Sequence, residues 1–333
     1  MLVTGASGFV GANLCRYFAN KGFNVIALAG PSWAEMRSWR LSGLSESHRV
    51  RVLSLDLEKR SAVRELISEL RPAVVVHCAA YGAYSFQTDA ERIYGVNFHG
   101  LRNLLDALRE DPARTKLKAF LQMGTSSEYG RNCSGPSEDA PTLPDSHYSV
   151  SKNSATALIR YYARELRVPA CVLRLYSVYG PFEEISRLIP TLLLAAREGR
   201  LPPLVDPDIS RDFVHVDDVG NAVSLLLADF LTGGKAAGEV FNIGSGRKTT
   251  IADLVRLSRE LFGVRESPCW NSMRNRSWDH PDWFCNPAKA NATFGWQSQL
   301  SLKEGLTSTM KWVRENPELI RLAQEQSLMQ VTK

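Results

Sequence analysis

Short apolar runs rich in β-branched residues alternate with amphipathic stretches through the first half of the chain. The apolar runs are predicted strands, and they lie at 1–4, 24–29, 51–55, 73–78, 119–124 and 170–175. Helical spacing marks the stretches between them, at 12–21, 61–70, 93–109 and 153–166. Alternation of this kind predicts an α/β fold, a parallel sheet with helices on both faces. The connections are long enough for right-handed crossovers.

The pattern loosens after about residue 175, where prolines cluster at positions 181, 190, 202, 203 and 207. Further helices are predicted at 188–198, 219–231 and 251–261, and a short strand at 240–243. Thr249 or Thr250 is placed to cap the last of these helices. The segment 266–296 is rich in Trp, Asn, Arg and Pro, and we predict an ordered loop there.

Composition narrows the class of protein. The chain has 333 residues, 44% hydrophobic and 23% charged, which excludes wholesale disorder, collagen and coiled coil. The formal charge of +5 is weak for this length, so no nucleic-acid partner is indicated. No stretch approaches the ~20 apolar residues of a membrane span, and the first residues lack the features of a signal peptide. Six cysteines without CxxC spacing predict reduced thiols in a cytoplasmic protein and no metal site.

A glycine-rich segment, TGASGFVG at 4–11, joins the first predicted strand to the first predicted helix. In this context Gly5 permits a tight turn, Gly8 lets the backbone approach a pyrophosphate, and Gly11 lets the helix pack closely on the strand. The helix N-terminus adds free N–H groups and the positive end of a dipole. The segment predicts a dinucleotide site, and a glycine-rich turn without a ligand is the alternative. The predicted contacts in the segment are Gly5, Ser7, Gly8, Phe9, Val10 and Gly11.

The ends of the next two strands bear on the choice of dinucleotide. No carboxylate stands at positions 29–32, directly after the second strand, to hold an adenosine ribose; Ser32 lies there, and Arg37 and Arg40 come shortly after. Arginine attracts a 2′-phosphate, so we expect NAD(P)(H) with a preference for NADP(H), although the arginines could equally be helix-surface residues. Asp56, followed by Leu57, is placed to bond the adenine edge or, alternatively, to cap the next helix.

Tyr148 and Lys152 stand four residues apart in the segment YSVSK. On a helix they share one face, one turn apart. A lysine ammonium near a phenol lowers the pKa of the phenol. A phenol tuned in this way can exchange a proton with a hydroxyl or ketone during hydride transfer.

Nine segments follow a known order along nearly the whole chain. They are TGASGFVG at 4–11, HCAA at 77–80, GVNFHG at 95–100, GTSSEYG at 124–130, YSVSK at 148–152, LRLYSVYGP at 173–181, RDFVHVDD at 211–218, FNIGSG at 241–246 and NPAKANATFGW at 286–296. Together they resemble the extended short-chain dehydrogenase/reductase family of nucleotide-sugar epimerases, dehydratases and reductases. The resemblance implies a Rossmann-type doubly wound sheet. It also implies an NAD(P)-binding domain at 1–175 plus about 212–245, and a smaller, partly interleaved nucleotide-sugar domain at about 176–211 and 246–333.

The resemblance also implies roles for particular residues. Tyr148 corresponds to the catalytic acid/base, Lys152 to the residue that binds the nicotinamide ribose and lowers the Tyr148 pKa, and Thr125 to the group that bonds the reacting sugar oxygen. Ala79 and Ala80 are expected beside the cofactor. Arg211 and Arg276 match the diphosphate-binding arginines and Asp279 the nucleotide-ribose acid. Further expected substrate contacts are Tyr81, Ser126, Ser127, Ser177 and Arg187.

Three departures from the family pattern shape the expected reaction. The dehydratases carry an acidic residue shortly after the Ser/Thr, where this chain has Ser126 and Ser127; Glu128 follows, and we expect it to point elsewhere. Ser177 stands where many members have asparagine. Ketone reduction or epimerisation through a transient ketone remains. The absent ribose-binding acid tips the expectation to a 4-ketoreductase of an NDP-4-keto-6-deoxyhexose, with an epimerase as the alternative.

Two further expectations complete the picture. A non-catalytic dinucleotide-sensing protein on the same fold is the hypothesis from a different class, since fold alone does not imply activity. The family resemblance also implies a homodimer, with no nucleic-acid or membrane partner.

Overall fold

The computed structural model describes residues 1–31, 39–44, 47–110, 116–275 and 279–331. Its strands are β1 (Leu2–Thr4), β2 (Val25–Ala29), β3 (Val50–Ser54), β4 (Val74–His77), β5 (Ala119–Thr125), β6 (Ala170–Leu175), β7 (Ser177–Tyr179), β8 (Ser210–Arg211), β9 (Phe213–His215), β10 (Val240–Ile243) and β11 (Thr249–Thr250). Its helices are α1 (Phe9–Asn20), α2 (Arg60–Leu70), α3 (Ala90–Tyr94), α4 (Leu101–Glu110), α5 (His147–Arg164), α6 (Leu188–Arg197), α7 (Val216–Leu231), α8 (Ile251–Phe262), α9 (Ala288–Phe294), α10 (Leu302–Glu315) and α11 (Pro317–Val331).

Seven of these described strands form one sheet in the order β10-β6-β5-β4-β1-β2-β3, and every neighbouring pair is parallel. The sheet is the predicted doubly wound Rossmann-type sheet. Its strand order reverses beside β1, because β2 lies on one side of it and β4 on the other. In such sheets ligands bind outside the carboxyl ends of the strands near this reversal.

Helices cover both faces of the sheet and bury two apolar layers. On one face, α1 and α7 contribute Leu14 and Val223, both fully buried. On the other face, α2, α4 and α5 contribute Ile67, Leu104 and Ile159. Each such side chain stabilises the fold by about 1.5–3 kcal/mol, so the carboxyl edge of the sheet is a rigid platform for side chains.

A smaller apolar cluster lies among α6, α8 and α10. Leu192, Leu254 and Leu306 from these helices are fully buried there, together with Tyr179 of β7 and Phe213 of β9. β7 pairs with β9, and β8 pairs with β11, outside the central sheet. The chain therefore builds a second core after β6 and returns to the sheet edge at β10.

The start of α5 lies before the predicted boundary at residue 153. The Ser146 hydroxyl accepts a bond from the Ser149 backbone N–H at 3.2 Å, and the Ser149 hydroxyl accepts one from the Ser146 N–H at 2.9 Å. This reciprocal cap begins the helix in a polar stretch that carries no apolar periodicity. It places Tyr148 and Lys152 in the first two turns of α5.

Two other elements differ from the sequence-based expectation. The helix predicted at 93–109 is interrupted by a π-helical turn, Gly95–Gly100, between α3 and α4. The segment predicted as a loop at 266–296 ends in the short helix α9. The cap predicted for α8 is confirmed at Thr250, whose hydroxyl accepts from the Asp253 N–H at 3.0 Å. None of the described helices is long and apolar enough to cross a membrane.

Candidate active site

The glycine segment between β1 and α1 forms a tight cradle. Gly5 has φ +65°, and a Cβ placed there would lie 2.5 Å from the Ala79 backbone nitrogen. A Cβ on Gly11 would lie 2.3 Å from the Gly5 carbonyl oxygen. The Gly8 N–H bonds that same carbonyl at 2.9 Å, and Gly8 caps α1 without a side chain. The backbone is thus open at the helix N-terminus, which fits a dinucleotide pyrophosphate.

The other predicted contacts in this segment differ in how far their side chains are exposed. Ser7 and Val10 are partly exposed beside the cradle. The Phe9 side chain is 9% exposed and packs in a cluster with Trp39 and Phe182. Phe9 can therefore offer a ligand its backbone, while its ring anchors the start of α1.

Of the three residues predicted to select NADP(H), Arg40 is the one that lies within the described part of the chain. Ser32 and Arg37 lie outside the described residues. Arg40 is 8% exposed, and its guanidinium donates to the Phe182 carbonyl at 2.8 Å and to the Glu184 carboxylate at 2.9 Å. These bonds join positions more than 140 residues apart, and they hold Arg40 in a structural ion pair. The expectation that Arg40 binds a 2′-phosphate is therefore corrected.

Asp56 and Leu57 follow β3, as predicted. The Asp56 carboxylate accepts a bond from the Glu58 N–H at 3.0 Å, so it caps a turn that precedes α2. Leu57 is 8% exposed and its side chain belongs to the apolar layer under α2 and α4. Its backbone alone remains for contact with an adenine.

The end of β4 is tied to β1 next to the cradle. The Thr4 hydroxyl lies 2.7 Å from His77 Nδ1 and accepts a bond from the Ala79 N–H at 3.3 Å. Ala79 is half-buried and Ala80 is exposed. Both predicted cofactor contacts thus sit at the carboxyl edge of the sheet, beside Gly5.

Asn97, in the π-helical turn, connects this edge to α5. Its side-chain oxygen accepts from the Tyr81 N–H at 2.8 Å, and its amide donates to the Tyr81 carbonyl at 2.8 Å and to the Ser151 hydroxyl at 2.9 Å. The Arg92 guanidinium lies 4.5 Å above the Tyr81 ring. The loop that carries Tyr81 is therefore fixed against the helix that carries Tyr148.

Thr125 and Tyr148 meet at the end of β5. The Thr125 hydroxyl is near enough to the Tyr148 hydroxyl to lower the pKa of Tyr148. Burial nevertheless raises the pKa of Tyr148 to about 12, against the lowering effects of the Thr125 hydroxyl and of the Arg187 charge. The phenol is therefore protonated at neutral pH and can donate to an oxygen placed near the pair.

Lys152 lies one turn further along α5 and is 2% exposed. Its Nζ donates to the Met123 carbonyl at 2.6 Å, and burial lowers the pKa of Lys152 to about 8. Thr125 and Arg187 supply the largest lowering effects on the Tyr148 pKa, so the lowering expected from Lys152 stays a prediction.

The two serines after Thr125 face different neighbours. The Thr125 hydroxyl donates to the Ser127 hydroxyl at 3.3 Å, so partly exposed Ser127 stays beside Thr125 and Tyr148. Ser126 is 6% exposed and its hydroxyl accepts from Trp283 Nε1 at 3.1 Å. Ser126 therefore anchors the loop that follows the second core, while Ser127 is the serine left beside Thr125 and Tyr148.

Glu128 stands in a 3-10 turn, Ser126–Tyr129, and its side chain does not point elsewhere as predicted: it turns back behind Thr125, whose N–H donates to Glu128 Oε1 at 3.0 Å. Its side chain is fully buried and pairs with Arg174 at 2.9 Å. The positions where the dehydratases carry an acid thus present serines.

Arg211 and Asp279 are brought together, as their assignment to one ligand end requires. One Arg211 nitrogen donates to the Asp279 carboxylate, another to the Ser210 carbonyl at 2.7 Å. The guanidinium also lies 5.4 Å above the Trp283 ring. Arg276 lies outside the described residues.

Arg187 stands at the start of α6. Its Nε is 4.0 Å from a Glu183 carboxylate oxygen, and its guanidinium lies 5.8 Å from the centre of the Tyr84 ring. Its charge acts on the pKa values of both Tyr148 and Arg211. Arg187 thus lies near enough to act on both Tyr148 and Arg211.

Ser177 lies in β7, where its N–H donates to the Asp212 carbonyl at 2.9 Å. The Asp212 carboxylate is fully buried and accepts from the N–H groups of Ser245, Gly246 and Cys285 at 2.6, 2.9 and 3.2 Å. The sequence did not predict that Asp212 would hold these separate chain segments together. The signal available was the position of Asp212 directly after Arg211, in the segment shared with the family.

Trp283 was also missed, because a tryptophan in a loop gives no spacing to interpret. It is 7% exposed and joins Ser126, Ser210 and Arg211 through its two N–H groups and its ring. It thereby links the segment before α9 to the turn that follows β5.

These features are those of a dinucleotide-dependent oxidoreductase, and comparison with known proteins agrees. Residues 1–244 match the model of the NAD dependent epimerase/dehydratase family. The chain therefore belongs to this family, the extended type of short-chain dehydrogenase/reductase, whose members are enzymes acting on nucleotide sugars.

Among relatives, the chain is 28% identical over 316 residues to the low-salt glycan biosynthesis protein Agl12 of Haloferax volcanii, covering 94% of this chain and 97% of that protein. It is 25% identical to a trifunctional dehydratase/epimerase/reductase of Arabidopsis thaliana and spans about half, 48%, of that protein.

Among solved structures, the UDP-glucose 4-epimerase of Thermotoga maritima, with UDP-glucose, superposes with a TM-score of 0.81 at 27% identity, covering 95% of this chain and 99% of that one. The UDP-glucuronic acid 4-epimerase of Bacillus cereus, in complex with UDP-glucuronic acid and NAD, gives 0.80 at 26%, covering 94% and 98%.

Proposed function

We propose that the protein is an NAD-dependent epimerase of a nucleotide-diphosphate hexose that acts at C4 through a transient ketone. The observation that carries this proposal is the Thr125–Tyr148 pair at the sheet edge, with serines in place of a dehydratase acid and Glu128 withdrawn into an ion pair. Such a pair moves a proton at one sugar oxygen and leaves the neighbouring carbons untouched. Relatives named as 4-epimerases support the same reaction.

Each side chain of the site has its own role in the proposed reaction. When bound in the glycine cradle, the nicotinamide dinucleotide supplies the hydride acceptor and donor. Tyr148 takes the proton from the sugar hydroxyl and later returns it, and Thr125 holds the same oxygen by a hydrogen bond. Taking that proton requires Tyr148 as the phenolate, and the Lys152 ammonium, one turn away on the helix, stabilises this phenolate.

The nucleotide end of the substrate is assigned to the second core. Arg211 fits a diphosphate because its guanidinium forks between acceptors, and Asp279 beside it is placed for a ribose hydroxyl. Arg276 and Arg187 are proposed as further phosphate contacts. In this proposal the part at 1–175 and about 212–245 holds the cofactor, and the part at about 176–211 and 246–333 holds the nucleotide sugar. We also propose a homodimer.

A 4-ketoreductase of an NDP-4-keto-6-deoxyhexose is the second candidate. It is favoured by the end of β2, where Ala29, Gly30 and Pro31 offer no carboxylate to an adenosine ribose. Because these three residues carry no negative charge, they would not repel the 2′-phosphate of NADPH. We rank it second because Arg40, which contributed to that preference, is engaged with Glu184.

The experiment separates the two reactions. Purified protein is incubated with UDP-glucose, UDP-glucuronic acid or dTDP-glucose, with NAD and without added cofactor, and the C4 configuration of the product is read by NMR. In parallel, an NDP-4-keto-6-deoxyglucose is mixed with NADH or NADPH and the near-ultraviolet absorbance is followed. A C4 epimer without net absorbance change supports the proposal. Stoichiometric NADPH oxidation with no epimer formed from any sugar would replace it by the reductase.

A further inference from the structure

A charged pair is buried directly behind Thr125. The side chains of Glu128 and Arg174 are 0% and 4% exposed, and they are joined at 2.9 Å. A buried ion pair is weak evidence for stability, because desolvation of the two charges offsets much of their attraction. Its position next to the catalytic pair calls for another explanation.

One oxygen of Glu128 holds the backbone of Thr125. Oε1 accepts from the Thr125 N–H at 3.0 Å, while the Thr125 hydroxyl accepts from the Ser127 N–H at 3.2 Å. These two bonds form a reciprocal cap on the turn after β5. They fix the direction of the Thr125 hydroxyl, which acts on the pKa of Tyr148.

The other oxygen of Glu128 faces α5. Oε2 accepts from the Thr156 hydroxyl at 2.7 Å as well as from Arg174. Thr156 lies four residues after Lys152, on the same face of the helix. The Glu128 carboxylate therefore lies one helical turn along from the Lys152 ammonium.

Besides Glu128 and its positively charged partner Arg174, the ionisable groups placed beside Lys152 are His77, Cys78 and Tyr148. Burial lowers the pKa of His77 to about 3 and raises that of Cys78, so both are neutral at the end of β4. On α5 itself, burial raises the pKa of Tyr148 to about 12. Glu128 supplies the negative charge that opposes the effect of burial on Lys152.

We propose that Glu128, held by Arg174, is a positioning residue for the reaction: it fixes the Thr125 hydroxyl and keeps Lys152 an ammonium. The kinetic part of this inference rests on the function proposed above. The effect of Glu128 on the charge of Lys152 is a property of the protein without substrate and does not depend on that function.

The direct test is Glu128→Gln. The carboxylate accepts from three donors on two oxygens, whereas the amide has one acceptor oxygen and places an NH₂ group against at least one of those donors. We expect kcat to fall at least about tenfold with KM changed less than about threefold. We also expect the basic limb of the kcat–pH profile to move to lower pH, since activity needs the Lys152 ammonium and loss of the anion lowers its pKa.

Glu138→Gln is the matched control. Glu138 is likewise buried, at 6% exposure, and its Oε1 accepts from the Asn242 N–H at 2.7 Å, a single bond that an amide oxygen can keep. The control should leave both kcat and the pH profile unchanged. If both substitutions lowered kcat and moved the pH profile equally, the loss of any nearby buried carboxylate would explain the effect, and the inference would be overturned.

A second readout needs no substrate. In protein labelled at lysine ¹³Cε, with the Lys152 signal assigned by its absence in Lys152→Arg, titration should centre near pH 8 in the wild type and lower in Glu128→Gln. An unchanged titration refutes the inference even if an epimerase is found. A shifted titration in a protein that turns over no nucleotide sugar supports it while the proposed function fails. If Glu128→Gln does not fold, Glu128→Leu with Arg174→Met removes both charges, and the same shift decides.

Discussion

Alanine at Gly5 should weaken cofactor binding and stability together, whereas alanine at Gly22 should affect stability alone. Both glycines have left-handed backbone, with φ +65° and +89°. Their surroundings differ. A Cβ on Gly5 would lie 2.5 Å from the Ala79 nitrogen and 2.6 Å from the Cys78 carbonyl carbon, both backbone atoms, while a Cβ on Gly22 meets nothing within 4 Å.

The expected loss of stability follows from two costs, the left-handed backbone and the close contacts of the added Cβ. Left-handed backbone costs a residue with a side chain about 1–2 kcal/mol, which applies at both positions. Overpacking against atoms that cannot rotate away adds about 1–3 kcal/mol at Gly5 alone. The strain is relieved only if the ends of β1 and β4 separate, which displaces the cradle. We expect the dissociation constant for NAD(H) to rise at least about tenfold in Gly5→Ala, equivalent to about 1.4 kcal/mol.

The assay pairs denaturant unfolding with titration of NAD(H) into each variant. Gly22→Ala should lose about 1–2 kcal/mol and bind the cofactor as the wild type does. If Gly5→Ala lost no more stability than Gly22→Ala and bound the cofactor equally well, the close approach of the two strand ends would not matter and the reasoning would be refuted.

Three further substitutions probe the site. Tyr148→Phe should lower kcat by about 10²–10⁴-fold with NAD(H) affinity within about twofold, measured by turnover and titration; retained turnover would remove Tyr148 from the mechanism. Arg211→Lys should raise KM for the nucleotide sugar by about tenfold with little change in kcat, because an ammonium cannot keep the forked bonds; an unchanged KM would exclude a diphosphate there. Lys152→Met should abolish turnover yet raise Tm at pH 7. Burial lowers the Lys152 pKa from 10.5 to about 8, so the unfolded chain binds more protons between these values and wild-type stability rises with pH there. That rise should vanish in the variant; if it persists, another group causes it.

The strands of the sheet could be predicted because buried parallel strands are continuous apolar runs. Ala170–Leu175 and Val240–Ile243 coincide with their predicted ranges. The pairs formed by β7, β8, β9 and β11 were not predicted, since strands of two or three residues carry no measurable alternation. The start of α5 was missed for a related reason: its first turn is held by Ser146 and Ser149, and not by an apolar face.

The parts of the site whose geometry is fixed by a short motif could be predicted from the sequence. The parts whose geometry depends on contacts between distant segments could not. The glycine cradle and the meeting of Thr125 with Tyr148 follow from short segments at strand ends. The environment of Arg40 does not, because its partner Glu184 is distant in sequence and only the fold brings them together. The pKa of Tyr148 likewise depends on burial, which a four-residue spacing cannot report.

The most direct test of the central claim follows hydrogen at the reacting carbon. A nucleotide hexose deuterated at C4 is incubated with the protein and NAD in ordinary water, and an unlabelled one in D₂O, and the products are examined by NMR. The account predicts a C4 epimer that keeps its original hydrogen isotope in both cases, because hydride leaves and returns within the site while Tyr148 exchanges only the proton on oxygen. Washout of the C4 label, or entry of solvent deuterium at C4, would contradict it.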